Sequence, residues 1–137
     1  MHENADITKA YVESKMESYK KEFFFDWVVV LKENNDPIGE ISCVKFSEGH
    51  RLCEIGYCYG SKFWKQGYGT EALKAVIGYM LNNVQVDIVI ACHIESNATS
   101  GNIMKKAGMK FDAVLSNYFV NKETEKREGQ VFYSIMR

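Results

Sequence analysis

The spacing of apolar residues changes character along the chain, and each change marks a different element. Within Asp6–Phe23, Val12, Met16, Tyr19 and Phe23 recur at helical intervals, and Asp6 or Thr8 can cap the segment, which predicts a first helix. The run Asp26–Lys32 (DWVVVLK) is β-branched and aromatic and reads as a strand. Asn34-Asn35-Asp36 is turn chemistry, Pro37 suits a strand start, and Ile38–Phe46 is a second strand. Ser47-Glu48-Gly49-His50 turns the chain again into a third strand, Leu52–Tyr59. Three strands joined this closely predict an antiparallel meander.

Beyond Gly60-Ser61-Lys62 the period becomes helical. Over Phe63–Asn83, Ala72, Leu73, Val76, Ile77, Met80 and Leu81 form one apolar stripe. Val86–Cys92 (VDIVIAC) is almost uninterrupted apolar, as a strand covered on both faces requires. Strand, helix and buried strand make a βαβ crossover with parallel strands. A short helix follows over Asn97–Gly108, which Asn97 or Thr99 can cap and Gly108 can close. Met109–Val120 and Gln130–Met136 are two further strands, and the charged stretch Asn121–Gly129 reads as a solvated hairpin loop. The whole is an α+β domain, with a mixed, mostly antiparallel sheet around one central βαβ unit.

Composition narrows the function classes. The 137 residues suit one domain, 1–137, and 46% hydrophobic content is enough for a core without disulfides or metal. A net charge of -1 gives no basic field for nucleic acid or anionic lipid. Cys43, Cys53, Cys58 and Cys92 form no C-x-x-C pair and lie in apolar strands, so buried reduced thiols are expected. His2, His50 and His93 are scattered, and no metal site is expected. No apolar run approaches the ~20 residues of a membrane span. The opening residues lack the basic and apolar regions of a signal peptide, which makes the cytoplasm the expected location.

The most informative segment is Gln66-Gly67-Tyr68-Gly69-Thr70-Glu71-Ala72, at the head of the long helix. The first amides of a helix lack internal partners and sit at the positive end of its dipole. Gly67 and Gly69 would remove side chains that keep a ligand off those amides, which suits a phosphate or pyrophosphate. A tight turn into the helix explains the same two glycines equally well. The dinucleotide fingerprint G-x-G-x-x-A also fits, with Glu95 as the ribose acid. That motif needs a strand running directly into its first glycine, and Ser61–Gln66 intervenes here. Three antiparallel strands ahead of the unit also count against it.

The run EIGYCYGSKFWKQGYGTEALKAVIGYM resembles the coenzyme-binding motif of the GNAT superfamily of N-acetyltransferases. Within it, the resemblance is to the branch that includes the ribosomal-protein N-terminal acetyltransferases, where an E-I-G-Y strand leads to G-K-G-Y-x-T-E-A. Asn97, Ser100, Lys106, Gly108 and Phe111 resemble the family's downstream N-x-x-S and K-x-G-F, with Met109-Lys110 displacing the usual Phe. Together the matches span roughly residues 4 to 137. They imply a GNAT-like fold and acetyl transfer from acetyl-coenzyme A to a primary amine, a peptide N-terminus or a small amine. A degenerate module that binds an acyl-coenzyme A without turnover is the alternative.

The resemblance also implies site residues. The coenzyme's pyrophosphate maps to the segment from Lys65 and Gln66 through Gly67, Tyr68, Gly69 and Thr70. The pantetheine arm maps to the backbone of Tyr57, Cys58 and Tyr59. One of those amides would face the thioester oxygen as charge develops, and losing such a donor costs ~3 kcal/mol. Asn97, Ser100 and Asn102 resemble residues lining the coenzyme's other side, although helix capping accounts for Ser100 and Asn102 as well. An attacking amine must be neutral, so a base is useful. Glu54 is the candidate base, set against a plain surface pairing with Lys, and Glu40 is the second choice.

Two departures from the family pattern follow. Its usual proton-donating Tyr falls on Met104, leaving Tyr118, water or direct thiolate release for the departing sulfur. The strand and helix that normally precede the segment matching Asn4–Thr8 have no counterpart. A sheet truncated this way exposes an edge, and a homodimer that covers it is expected.

Overall fold

The computed structural model describes residues 25–137, so the helix expected over Asp6–Phe23 lies outside the described residues. Among these, six strands form one sheet: β1 Asp26–Val30, β2 Pro37–Ser47, β3 Leu52–Tyr59, β4 Ile88–Ile94, β5 Lys110–Val120 and β6 Arg127–Met136. Two α-helices, α1 Tyr68–Tyr79 and α2 Ala98–Lys106, supply the second layer. The strand order is β1-β2-β3-β4-β6-β5, and only β3 and β4 pair in parallel. The meander and the βαβ unit stand as the apolar pattern predicts.

Side-chain alternation decides which face is dry. Cys53, Ile55 and Tyr59 of β3 and Val89 and Ala91 of β4 are buried on the helical side. They meet Leu73, Val76 and Ile77 of α1, then Met80, and Met104 of α2. Phe25 and Trp27 pack on the same core, the Trp27 ring 5.7 Å from that of Tyr79 and 6.1 Å from Phe25. Both rings are half-buried against that core, as aromatic pairing favours.

Several boundaries differ from expectation, most by one or two residues. α1 gives way to a single π turn over Met80–Val84, and the chain leaves it at Gln85 with φ 67°. β4 starts at Ile88 rather than Val86. Arg127 and Glu128, assigned to a loop, pair with Val120 and Phe119. An exposed edge hairpin carries charged side chains without burying them, so composition misleads there. The four thiols are free, but contrary to expectation only Cys53 is buried: Cys43 and Cys92 are half-buried and Cys58 is exposed. Cys58 alternates with Tyr57 and Tyr59 and so turns away from the helices. Among the described residues no helix is long and apolar enough to cross a membrane, and no group of three His, Cys, Asp or Glu gathers to hold a metal.

Candidate active site

β3 and β4 separate soon after they meet. Only Leu52, Cys53 and Glu54 have β4 partners, namely Ile88, Val89 and Ile90. Farther along, β3 is paired with β2. The Gly60 amide donates to the Ile38 carbonyl at 3.0 Å, with Glu40 opposite Cys58 and Ser42 opposite Gly56. Alternation along an antiparallel ladder then commits the backbone of Gly56 and Cys58 to β2. It turns the backbone groups of Tyr57 and Tyr59 into the gap. The Tyr59 carbonyl accepts from the Trp64 indole at 3.1 Å.

The segment Ser61–Phe63 makes one 3₁₀ turn and leads into two left-handed residues, Lys65 (φ 61°) and Gly67 (φ 85°). Gly67 is the N-cap of α1 and no side chain among the described residues caps the helix; the first helical bond runs from Glu71 N–H to the Gly67 carbonyl at 3.0 Å. The amides of Tyr68, Gly69 and Thr70 therefore have no partner within the helix. The two glycines serve different ends. A Cβ on Gly67 would meet nothing within 4 Å, so its value is the left-handed backbone. A Cβ on Gly69 would stand 2.8 Å from Ile103 Cδ1 and 3.2 Å from Tyr59 Cε2. Gly69 lets α1 close on α2 and β3.

Between the head of α1 and the side of α2 lies a cavity of about 320 Å³. Tyr59, Lys65, Gly67, Gly69, Thr70 and Asn102, six of the residues expected from the sequence, line it together. Phe63, Trp64, Thr99, Ile103 and Lys106 line it too, and the sequence reading named none of them as a coenzyme-binding residue. Thr99, Asn102, Ile103 and Lys106 follow i, i+3, i+4, i+7 spacing, which was a legible sign of one helix face. Free amides and two lysines, with no carboxylate in the lining, suit an anionic ligand. The Tyr59 hydroxyl is buried with no hydrogen-bond partner among the described residues, and burial pushes its pKa up.

The other expected residues are placed elsewhere. Gln66 Nε2 donates to the Lys62 carbonyl at 2.8 Å, and the Tyr68 ring rests edge-on against Phe63. Asn97 caps α2, its Oδ1 accepting from the Ser100 amide at 3.2 Å. The Ser100 hydroxyl donates to the Tyr57 oxygen at 3.0 Å, and the Tyr57 hydroxyl donates to the Ser100 carbonyl at 2.9 Å. Burial pushes the Tyr57 pKa up to about 12.

Glu54 alternates with Cys53 and Ile55, so it projects from the sheet face opposite the cavity. Lys45 of β2 stands across from it. Cys92 and Gln130, joined by a 2.9 Å hydrogen bond, share that face beyond the gap. Met104 is 1% exposed and belongs to the core. Tyr118 is 63% exposed on β5, which β6 separates from β4.

Comparison with known proteins gives a concordant picture. A family model described as an acetyltransferase (GNAT) domain matches residues 1–110. The N-acetyltransferase YoaA of Bacillus subtilis (strain 168), itself uncharacterized, is 23% identical over 135 residues, covering 88% of this chain and 76% of YoaA. The ribosomal-protein-S5-alanine acetyltransferase from Vibrio fischeri superposes with a TM-score of 0.79 at 20% identity, over 93% of this chain and 69% of that one. The microcin C7 self-immunity acetyltransferase MccE, solved with acetyl-CoA and AMP, gives 0.79 at 19% identity, over 98% of this chain and 73% of that one. At such identities the two structures establish a shared fold.

Proposed function

The chain belongs to the GNAT acetyltransferase family, and on that premise we propose that it transfers the acetyl group of acetyl-coenzyme A directly to a primary amine. The observation that carries this reading is the adjacency of two features. One is the cavity at the head of α1, with free amides, Lys65 and Lys106; the other is the gap into which Tyr57 and Tyr59 turn their backbone. The cavity suits the coenzyme's diphosphate. The gap suits an extended arm that pairs with β3 as a strand would. The acetyl-CoA in MccE supports the same ligand here.

The acceptor enters from the opposite face, where Glu54 projects. The amine nitrogen attacks the thioester carbon, and the carbonyl oxygen takes negative charge beside a β3 amide. The carbon–sulfur bond then breaks and the acetyl group stays on nitrogen. Glu54, directly or through water, accepts the proton that nitrogen sheds. Met104 offers no proton, so the thiolate leaves as the anion or takes one from water.

The name of the Vibrio fischeri relative supports a peptide α-amine as the first acceptor to try, with small amines next. A homodimer that covers a sheet edge belongs to the same reading. β5, the edge strand at the far end of the sheet from β1, offers exposed Phe111, Leu115 and Tyr118 for such pairing, and light scattering that finds only monomer at high concentration removes it.

Calorimetry with acetyl-coenzyme A, followed by thiol release against a panel of peptide N-termini and amines, tests the proposal. Micromolar association and acceptor-dependent release are expected. Absence of association in folded protein overturns it, and binding without release across the panel favours a non-catalytic binding module.

A further inference from the structure

Past Glu54 no backbone ladder holds β3 to β4, yet the cavity needs β3 and α2 at a fixed separation. Tyr59 lines one side of it, and Thr99, Asn102 and Ile103 line the other. A side-chain link spans the gap on the helical face. Tyr57 donates its hydroxyl proton to the Ser100 carbonyl and accepts from the Ser100 hydroxyl, joining residues 43 apart in sequence. On the β4 side α2 is seated closely, because a Cβ on Gly101 would lie 2.7 Å from His93 Nε2. Asn97 holds the same turn through the Ser100 amide. The first turn of α2 is thus fixed to β4 by packing and to β3 by the Tyr57–Ser100 pair.

We propose that Tyr57 is a positioning residue whose side chain straps α2 across the open part of the sheet and so sets the width of the coenzyme cleft. This goes beyond a backbone role for Tyr57 and a lining role for Ser100, and it rests on the reading of the cavity as the coenzyme site. The pair is reciprocal, so both hydroxyls are spent on each other and on the Ser100 carbonyl. Tyr57→Phe removes both bonds. Ser100→Ala removes one and leaves the bond to the carbonyl.

The test is a double-mutant cycle in the full chain with Tyr57→Phe, Ser100→Ala and the pair. In unliganded protein, amide exchange at Asn102 to Lys106 should quicken about tenfold in Tyr57→Phe, with the β2–β3 amides unchanged. Ser100→Ala should quicken it less, and the double variant should match Tyr57→Phe, because the Ser100 hydroxyl then has no partner to lose. The Kd and KM for acetyl-coenzyme A should rise in the same order, about tenfold at most, while kcat changes less than about threefold. Ser100→Thr keeps the hydroxyl and should keep wild-type amide exchange at Asn102 to Lys106.

Unchanged exchange in Tyr57→Phe overturns the strap. Additive losses in the double variant also overturn it, since they assign the two hydroxyls to separate tasks. Wild-type protein that fails to bind the coenzyme sinks the proposed function instead, and the exchange data still decide the strap. If Tyr57→Phe does not fold, the contrast between Ser100→Ala and Ser100→Thr in exchange decides it.

Discussion

Lys45 stands directly across from Glu54 because one extra residue, Val44, separates it from Cys43, which lies opposite Ile55. Without that bulge Lys45 would face Cys53 and point toward the helices. The inserted residue re-aims the cation to the open face of the sheet. Val44 itself is 54% exposed, and its Cγ1 would stand 3.1 Å from a Cβ on Gly56. Glu54, Lys45 and the glycine two residues on therefore form one locally bent unit.

If Glu54 takes the proton from the amine, Glu54→Gln should lower turnover about 10²-fold at pH 7. The loss should shrink near pH 9, where an α-amine of pKa about 8 is already neutral. Steady-state rates with saturating acetyl-coenzyme A at both pH values check this, and an equal loss at both removes the base role.

Gly69→Ala sets two effects against each other. Alanine is the better helix former by about 1 kcal/mol, but its methyl group meets Ile103 and Tyr59. Overpacking of this kind typically costs about 1–3 kcal/mol, so a net loss of stability is expected. Ile103→Val removes the Cδ1 atom in the way, and the double variant should recover most of the loss in urea melts.

Tyr59→Phe should stabilise the unliganded protein by about 1 kcal/mol. The buried Tyr59 hydroxyl has lost water and found no partner among the described residues, so its removal relieves a desolvation cost. A rise in Tm of about 4 °C is the corresponding shift, and a fall would mean that the hydroxyl is paired in solution.

Glu128 ties the start of α2 to the β5–β6 hairpin. Its carboxylate accepts from Asn121 Nδ2 at 2.7 Å, from the Ser96 amide at 2.8 Å and from the Ser96 hydroxyl at 3.0 Å. Those donors, that of Asn121 foremost, hold its pKa below the usual carboxylate range. A group whose folded pKa is depressed stabilises the fold above its unfolded pKa, and that contribution fades as pH falls through the folded value. Thermal melts of wild type and Glu128→Gln should therefore differ at pH 7 and converge in acid. A constant difference would place the effect outside this carboxylate.

The local pattern carried a great deal. Alternating apolar residues in Leu52–Tyr59, the stripe from Leu73 to Met80 and the Asn97 cap each report on neighbours within a turn or a strand. The elements they imply are present, and six expected residues converge on one cavity. Charged Arg127 and Glu128 were misread because this end of β6 runs past its pairing with β4 and pairs with β5, so it needs no apolar faces. Cys58 was misread because an apolar run hides its own alternation.

The sequence by itself determined the elements, the uncapped head of α1 and the family, since these depend on short-range period and on residues consecutive in the chain. Tertiary structure alone decided which groups face each other. The bulge that brings Lys45 to Glu54, the parting of β3 and β4, the approach of Ile103 to Gly69 and the Tyr57–Ser100 pair are all of that kind. Each joins segments whose relative register is set by packing across the sheet. No local periodicity encodes a register between distant strands, and that is the physical reason the cleft became visible only in three dimensions.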